Sequence, residues 1–142
     1  MADNRLDVRF DNIRYNAETF KIDNSTITYS ATSANGSAQV GLAVTQSAGD
    51  TVALVADGEA VVGKLIKVTK DNYCVVQTHG YMTLPGGTGA SLTQNKKIVG
   101  DLLVAAKGYI REVATATAAE LGLQRGRIVD ATDTTAVVVD MG

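Results

Sequence analysis

Leu6, Val8 and Phe10 alternate with Asp7, Arg9 and Asp11. A period of two is the signature of a strand with one apolar and one charged face. Ile13, Tyr15, Phe20 and Ile22 continue the apolar supply less regularly. Beyond residue 24 the pattern becomes short runs of Val, Ile, Thr and Tyr, residues that suit a pleated, half-buried surface, separated by turn formers. These runs predict strands at about 26–32, 40–46, 51–56, 60–68, 73–78, 80–84, 102–106, 109–114, 126–131 and 135–140. Asp57-Gly58, between residues 52–55 and 60–62, is the strongest two-residue hairpin signal. Asp71-Asn72 and Lys107-Gly108 read as similar turns. Only residues 114–123 invite a helix, about two turns long, with Thr115 or Thr117 as N-cap and Gly122 as its stop.

The first 23 residues carry nine charges, both phenylalanines and no glycine, whereas all 14 glycines come later. Residues 1–23 therefore read as an extended N-terminal arm and 24–142 as the body. Within the body, Gly63-Lys64-Leu65-Ile66-Lys67-Val68 followed by Tyr73 echoes Gly100-Asp101-Leu102-Leu103-Val104-Ala105 followed by Tyr109. Val40 to Val44 before residues 51–55 likewise echoes residues 125–129 before 135–139. The spacings of the two echoes differ, so no solenoid period exists, and a duplicated hairpin inside one β-domain fits better. The expected fold is mainly β: a small β-barrel or β-sandwich, β-tulip-like, with the arm and one short helix.

At 142 residues the chain is of single-domain size and can remove roughly 70% of its unfolded surface from water without staples. Hydrophobic residues make up 45% and charged ones 20%, with 13 Lys plus Arg against 15 Asp plus Glu, a globular composition. There is no basic surplus or stripe of the kind that phosphate binding requires, so no nucleic-acid partner is expected. One cysteine and one histidine fall short of a zinc site and exclude an internal disulfide. The charged N-terminus lacks the basic and apolar regions of a secretory signal, so the chain is expected to stay in the cytoplasm where it is made. The long uncharged stretches, residues 24–49 and 72–95, are rich in Ser, Thr, Asn and Gly and would not cross a bilayer. In a cytosolic chain the acceptor triplets at Asn24 and Asn35 never meet the glycosylation enzyme.

Chemistry-bearing residues are sparse. His79 lies inside an apparent strand before Gly80, where a histidine bonded to backbone is the expected role. Cys74 sits between Tyr73 and Val75, as a small buried hydrophobe does. Five positions apart on one strand, Cys74 and His79 would point to opposite faces, which disfavours a nucleophile pair. No Gly-x-Ser-x-Gly elbow occurs. The loop Pro85-Gly86-Gly87-Thr88-Gly89-Ala90-Ser91 lacks the Gly-Lys-Ser/Thr of a phosphate cradle and reads as a flap able to order against a partner. Asp50, Asp57, Asp71, Asp101, Asp130 and Asp133 mostly stand beside Gly, Asn or Thr, as turn-forming aspartates do. No catalytic, cofactor-binding or metal-ligating residue is expected, and no cofactor; the chain reads as a non-enzyme.

The body's strand pattern, carried by residues 40–44, 49–55, 63–68, 100–104, 127–129 and 135–139, resembles that of bacteriophage head decoration (cement) proteins. The resemblance covers about residues 36–142. It implies a compact β-rich body, often a homotrimer, that docks on the outside of an assembled capsid, binds the major capsid protein and strengthens the shell without catalysis. Its place would be the virion exterior, with no membrane partner. The arm lies outside the resemblance. Its alternating apolar residues would add a strand to a sheet edge on a capsid protein or a neighbouring copy, making Leu6, Val8, Phe10, Ile13, Tyr15, Phe20 and Ile22 the expected partner-binding residues. Alternatively residues 1–23 form the body's first strands. Competing functions are a glycan- or surface-binding β-module and a small hydrolase built on His79.

Overall fold

The protein is described by a computed structural model covering residues 15–88, 92–113 and 118–142. It is mainly β, as the pattern predicts. The strands are β1 (Asn16–Ile22), β2 (Ala43–Gln46), β3 (Thr51–Leu54), β4 (Gly63–Val68), β5 (Tyr73–His79), β6 (Tyr81–Leu84), β7 (Ile98–Leu103), β8 (Ala106–Glu112), β9 (Arg127–Asp130) and β10 (Val137–Asp140), with a 3-10 turn at Ala34–Gly36 and one short helix, α1 (Ala118–Leu123). The first five strands close a barrel in the order β1-β3-β2-β4-β5. The rest form a three-stranded sheet, β6-β10-β9, and the hairpin β7–β8. Bridges Ile98 to Arg125 and Gly86 to Ile110 link these two sheets, so the strands run round a second circuit, β6-β8-β7-β9-β10.

The second circuit repeats the first. In β4–β5 the partners are Lys64 and Gln77, Leu65 and Val76, and Lys67 and Val75, with a bulge at Ile66. In β9–β10 they are Arg127 and Asp140, Ile128 and Val139, and Asp130 and Val138, each residue 63 positions later, with the bulge at Val129. The Gly41 and Leu65 amides donate to Leu65 and Leu42 carbonyls, and correspondingly Asn95 and Ile128 donate to Ile128 and Lys96. Val62 donates to Val44 as Arg125 does to Ile98. The parallel pair Ile22 and Val52 answers to the parallel bridge Gly86 to Ile110. Gly41 and its counterpart Asn95 both take positive φ, 97° and 71°. The sequence echo thus belongs to whole halves: β2–β3 matches β7–β8 and β4–β5 matches β9–β10. The expected pairing of β4 with β7 was crossed, because a glycine before an apolar run occurs in both places and only backbone register tells them apart.

Burial follows the repeat. Leu65, Cys74 and Val76 lie in the core of the first barrel, and Ile128, Val137 and Val139 occupy the matching places in the second core. Residues 26–32 run from a bend through irregular backbone into a turn and do not form the expected strand. The Asp23 carboxylate accepts the amides of Ser25, Thr26 and Ile27, curling the chain out of extended geometry and seating Ile27 in the core. Asp71-Asn72 does turn the hairpin β4–β5, with Asn72 at φ 66°. Asp57-Gly58 turns the chain but closes no hairpin, since β3 pairs with β1 and β2 and β4 with β2 and β5. Gly58 instead donates to the Gly100 carbonyl at 3.0 Å, and Gly100 to Glu59 at 2.8 Å. Lys107-Gly108 lies within β8, where the register shifts and Gly108 takes φ 102°, as a glycine bulge does; the turn itself is Val104-Ala105. The helix occupies 118–123, and the candidate caps Thr115 and Thr117 lie outside the described residues.

Candidate docking surface

The expected arm residues divide. Leu6, Val8, Phe10 and Ile13 lie outside the described residues. Tyr15 is 45% exposed, Phe20 packs against the first core and Ile22 is buried at 4%. β1 is bonded on both sides, antiparallel to β5 and parallel to β3. Residues 16–22 are therefore a wall of the barrel, and Phe20 and Ile22 spend their apolar surface inside it. The body begins before residue 24.

Burial pushes the Cys74 thiol up to about 11, with the Phe20 backbone opposing more weakly, so the sulfur stays protonated and unreactive at neutral pH. His79 is exposed at the end of β5, its Nδ1 2.9 Å from Thr78 Oγ1 and 3.5 Å from Asn16 Nδ2. No three His, Cys, Asp or Glu side chains among the described residues are grouped to hold a metal, and no described helix is long and apolar enough to cross a membrane. The remaining strong polar contacts join parts of the chain. Arg111 reaches Glu120 on α1, with Nη1 to Oε2 at 3.0 Å, and Asp57 in the first half, with Nε to Oδ1 at 3.0 Å; chiefly through Glu120, these carboxylates raise its pKa. Arg125 donates to the carbonyls of Val62 at 2.6 Å and Thr78 at 2.5 Å.

What sets the second half apart is its longer hairpin. The matched pairs are Val44 with Leu54 in β2–β3 and Ile98 with Glu112 in β7–β8; the first encloses residues 45–53 and the second residues 99–111. The shorter hairpin ends in the exposed polar turn Ser47-Ala48-Gly49-Asp50. The longer one ends in Leu103, 43% exposed, and Val104, 84% exposed, followed by exposed Ala105, Ala106 and Lys107. Val104 sits at φ 58°, where a β-branched residue is a genuine outlier. Thr88 straps the tip: its amide donates to the Leu102 carbonyl at 2.8 Å and its Oγ1 accepts from the Val104 amide. Midway along the hairpin Asp101 is buried, with Oδ2 lacking a partner among the described residues.

Sequence reasoning missed this tip because 102–106 is an unbroken apolar run with no Gly, Asn, Asp or Pro to mark a turn. A second feature is the depression where exposed Tyr29 stands beside Asn35, Lys67 and Lys70. Comparison with models of known families, with curated proteins and with solved structures yields no match.

Proposed function

We propose that this chain is a non-enzymatic structural protein that binds the outer surface of an assembled phage capsid and stabilises it by bridging subunits of the major capsid protein, as its resemblance to head decoration proteins implies. The observation that carries the reading is an exposed apolar hairpin tip held out from two closely bonded β-circuits. A rigid scaffold with such a tip is suited to adhesion. A bridging protein must be stripped off or deformed before the subunits it touches can separate, so every attached copy raises the resistance of the shell. Homotrimerisation would present each contact three times and sum modest contacts into tight attachment. Leu6, Val8 and Phe10 would add a strand-like contact to a capsid protein or neighbouring copy. The resident place would be the virion exterior.

The test is electron microscopy of heads assembled with and without this chain, paired with their thermal disruption. Extra density on the outer surface and a higher disruption temperature are expected. Heads that neither acquire density nor gain resistance would overturn the reading. The Tyr29 depression favours a second reading, a glycan-binding module on the virion, because an exposed ring among amide and ammonium groups suits a sugar; binding on a glycan array that Tyr29→Ala abolishes would support it.

A further inference from the structure

We infer that the Leu103-Val104 tip of β7–β8 is the anchor by which the chain docks, and that its occupant is an apolar depression repeated many times on an assembled protein shell. The inference rests on the capsid reading and names the contact within it. The barrel does not need this tip, because the matched hairpin β2–β3 closes the first circuit with a shorter, polar end. The tip also works against stability: Val104 holds a left-handed backbone at φ 58°, Asp101 keeps a buried carboxylate oxygen without a partner among the described residues, and Val104 exposes 84% of its surface. Strain and exposed apolar surface concentrated at one place point to binding. Thr88, bonded to Leu102 and Val104, fixes the tip before contact and so reduces the ordering that binding would otherwise require.

The size of the tip selects the occupant. From their exposure, Leu103 and Val104 offer on the order of 150 Å² of apolar surface. A stable pair of proteins covers about 800 Å² on each partner, so two tips meeting each other would not hold a dimer, and one tip on one isolated subunit would hold only weakly. Tips held together on the proposed homotrimer, engaging a lattice of identical depressions, would bind tightly by effective concentration. Residues 102–106 carry no charge, which fits an apolar protein depression.

The experiment uses the full chain and the variants Val104→Asn and Val104→Asp, since both residues tolerate a left-handed backbone. Melting followed by circular dichroism should place both variants at or above the wild type. Co-sedimentation with assembled heads should show binding weakened at least 30-fold for Val104→Asp, and unassembled capsid protein should bind the wild type at least 100-fold more weakly than heads do. Wild-type binding to heads with Val104→Asp within twofold overturns the anchor and leaves the capsid reading standing. No wild-type binding to heads overturns both. A change of oligomeric state in Val104→Asp by light scattering would make a second copy the occupant, and equal binding to vesicles of phosphatidylcholine with phosphatidylserine would make it a lipid surface; either result overturns the inference.

Discussion

Arg125 should be the most informative stability probe in the chain. Its guanidinium, from two residues before β9 in the second half, donates to the carbonyls of Val62 at 2.6 Å and Thr78 at 2.5 Å, both in the first half. Burial lowers its pKa, with Glu18 opposing, yet a guanidinium stays charged throughout the ordinary range. A hydrogen bond to a charged group contributes about 1.5–3 kcal/mol. Because the side chain is only half-buried, the low end applies to each bond, and Arg125→Ala should cost about 3 kcal/mol. For a chain of this size that corresponds to roughly 10 °C in Tm. Arg125→Lys, whose single ammonium cannot span both carbonyls in the same fork geometry, should recover less than half. The backbone bonds between residues 98 and 125 do not use the side chain, so both variants should fold. The assay is differential scanning calorimetry at neutral pH, with and without added salt. The acceptors are neutral carbonyls, so the deficit should persist in salt that would screen an exposed ion pair. A loss below about 3 °C, or one erased by salt, would refute the claim that this fork ties the halves together.

Three further outcomes follow from the same structure. A Cβ on Gly63 would stand 2.0 Å from the Gln77 carbonyl oxygen, so Gly63→Ala should cost about 3 kcal/mol or more or prevent folding, whereas Gly49→Ala, with nothing within 4 Å, should be neutral or slightly stabilising in urea titration. Burial raises the pKa of Asp23, but donors from Thr26, Ile27 and Ser25 outweigh it and hold the carboxyl below 3.8; its contribution is present above the ordinary carboxylate range and lost as pH falls below about 4, so Asp23→Ala should flatten the acid limb of a Tm-against-pH curve that the wild type shows. Cys74, buried and pushed up to about 11, should resist iodoacetamide at pH 8 in the native protein and react promptly in denaturant; rapid native labelling would contradict its burial.

The fold class was legible because β-branched runs punctuated by turn formers admit few alternatives, and Asp71-Asn72 marked its hairpin correctly. Partnership was less legible. Asp57-Gly58 has the chemistry of a hairpin turn, but its flanking strands found other neighbours, a non-local outcome that no short window contains. Val104 turns the chain against its own preference, so its local signal pointed the wrong way. Phe20 and Ile22 were read as partner-binding residues, but they pack into the chain's own barrel; an apolar pattern reports that a face is covered, not by what. The repeat was visible as an echo but misaligned, because Leu65 and Ile128 are equivalent through their hydrogen-bond partners more than through the letters around them.

A circuit of strands built twice in one chain supplies its own control. Features present in both halves, such as the bulged hairpins and the buried Leu65 and Ile128, are what closing the circuit requires. Features present once are not required by it and need another reason. Arg125 and the Arg111 contacts have an internal one, since they join the second half to Val62, Thr78 and Asp57 of the first. The β7–β8 hairpin is likewise joined to the first half, through Gly100 to Gly58 and Glu59 and through Gly108 to Val55, but its tip has no such reason: beyond the strap to Thr88 it delivers Leu103 and Val104 to solvent. The surface gained is too small to hold a solitary partner, yet its strained geometry is fixed in advance. Those two properties suit the proposed attachment, in which several tips of one oligomer engage the shell at once.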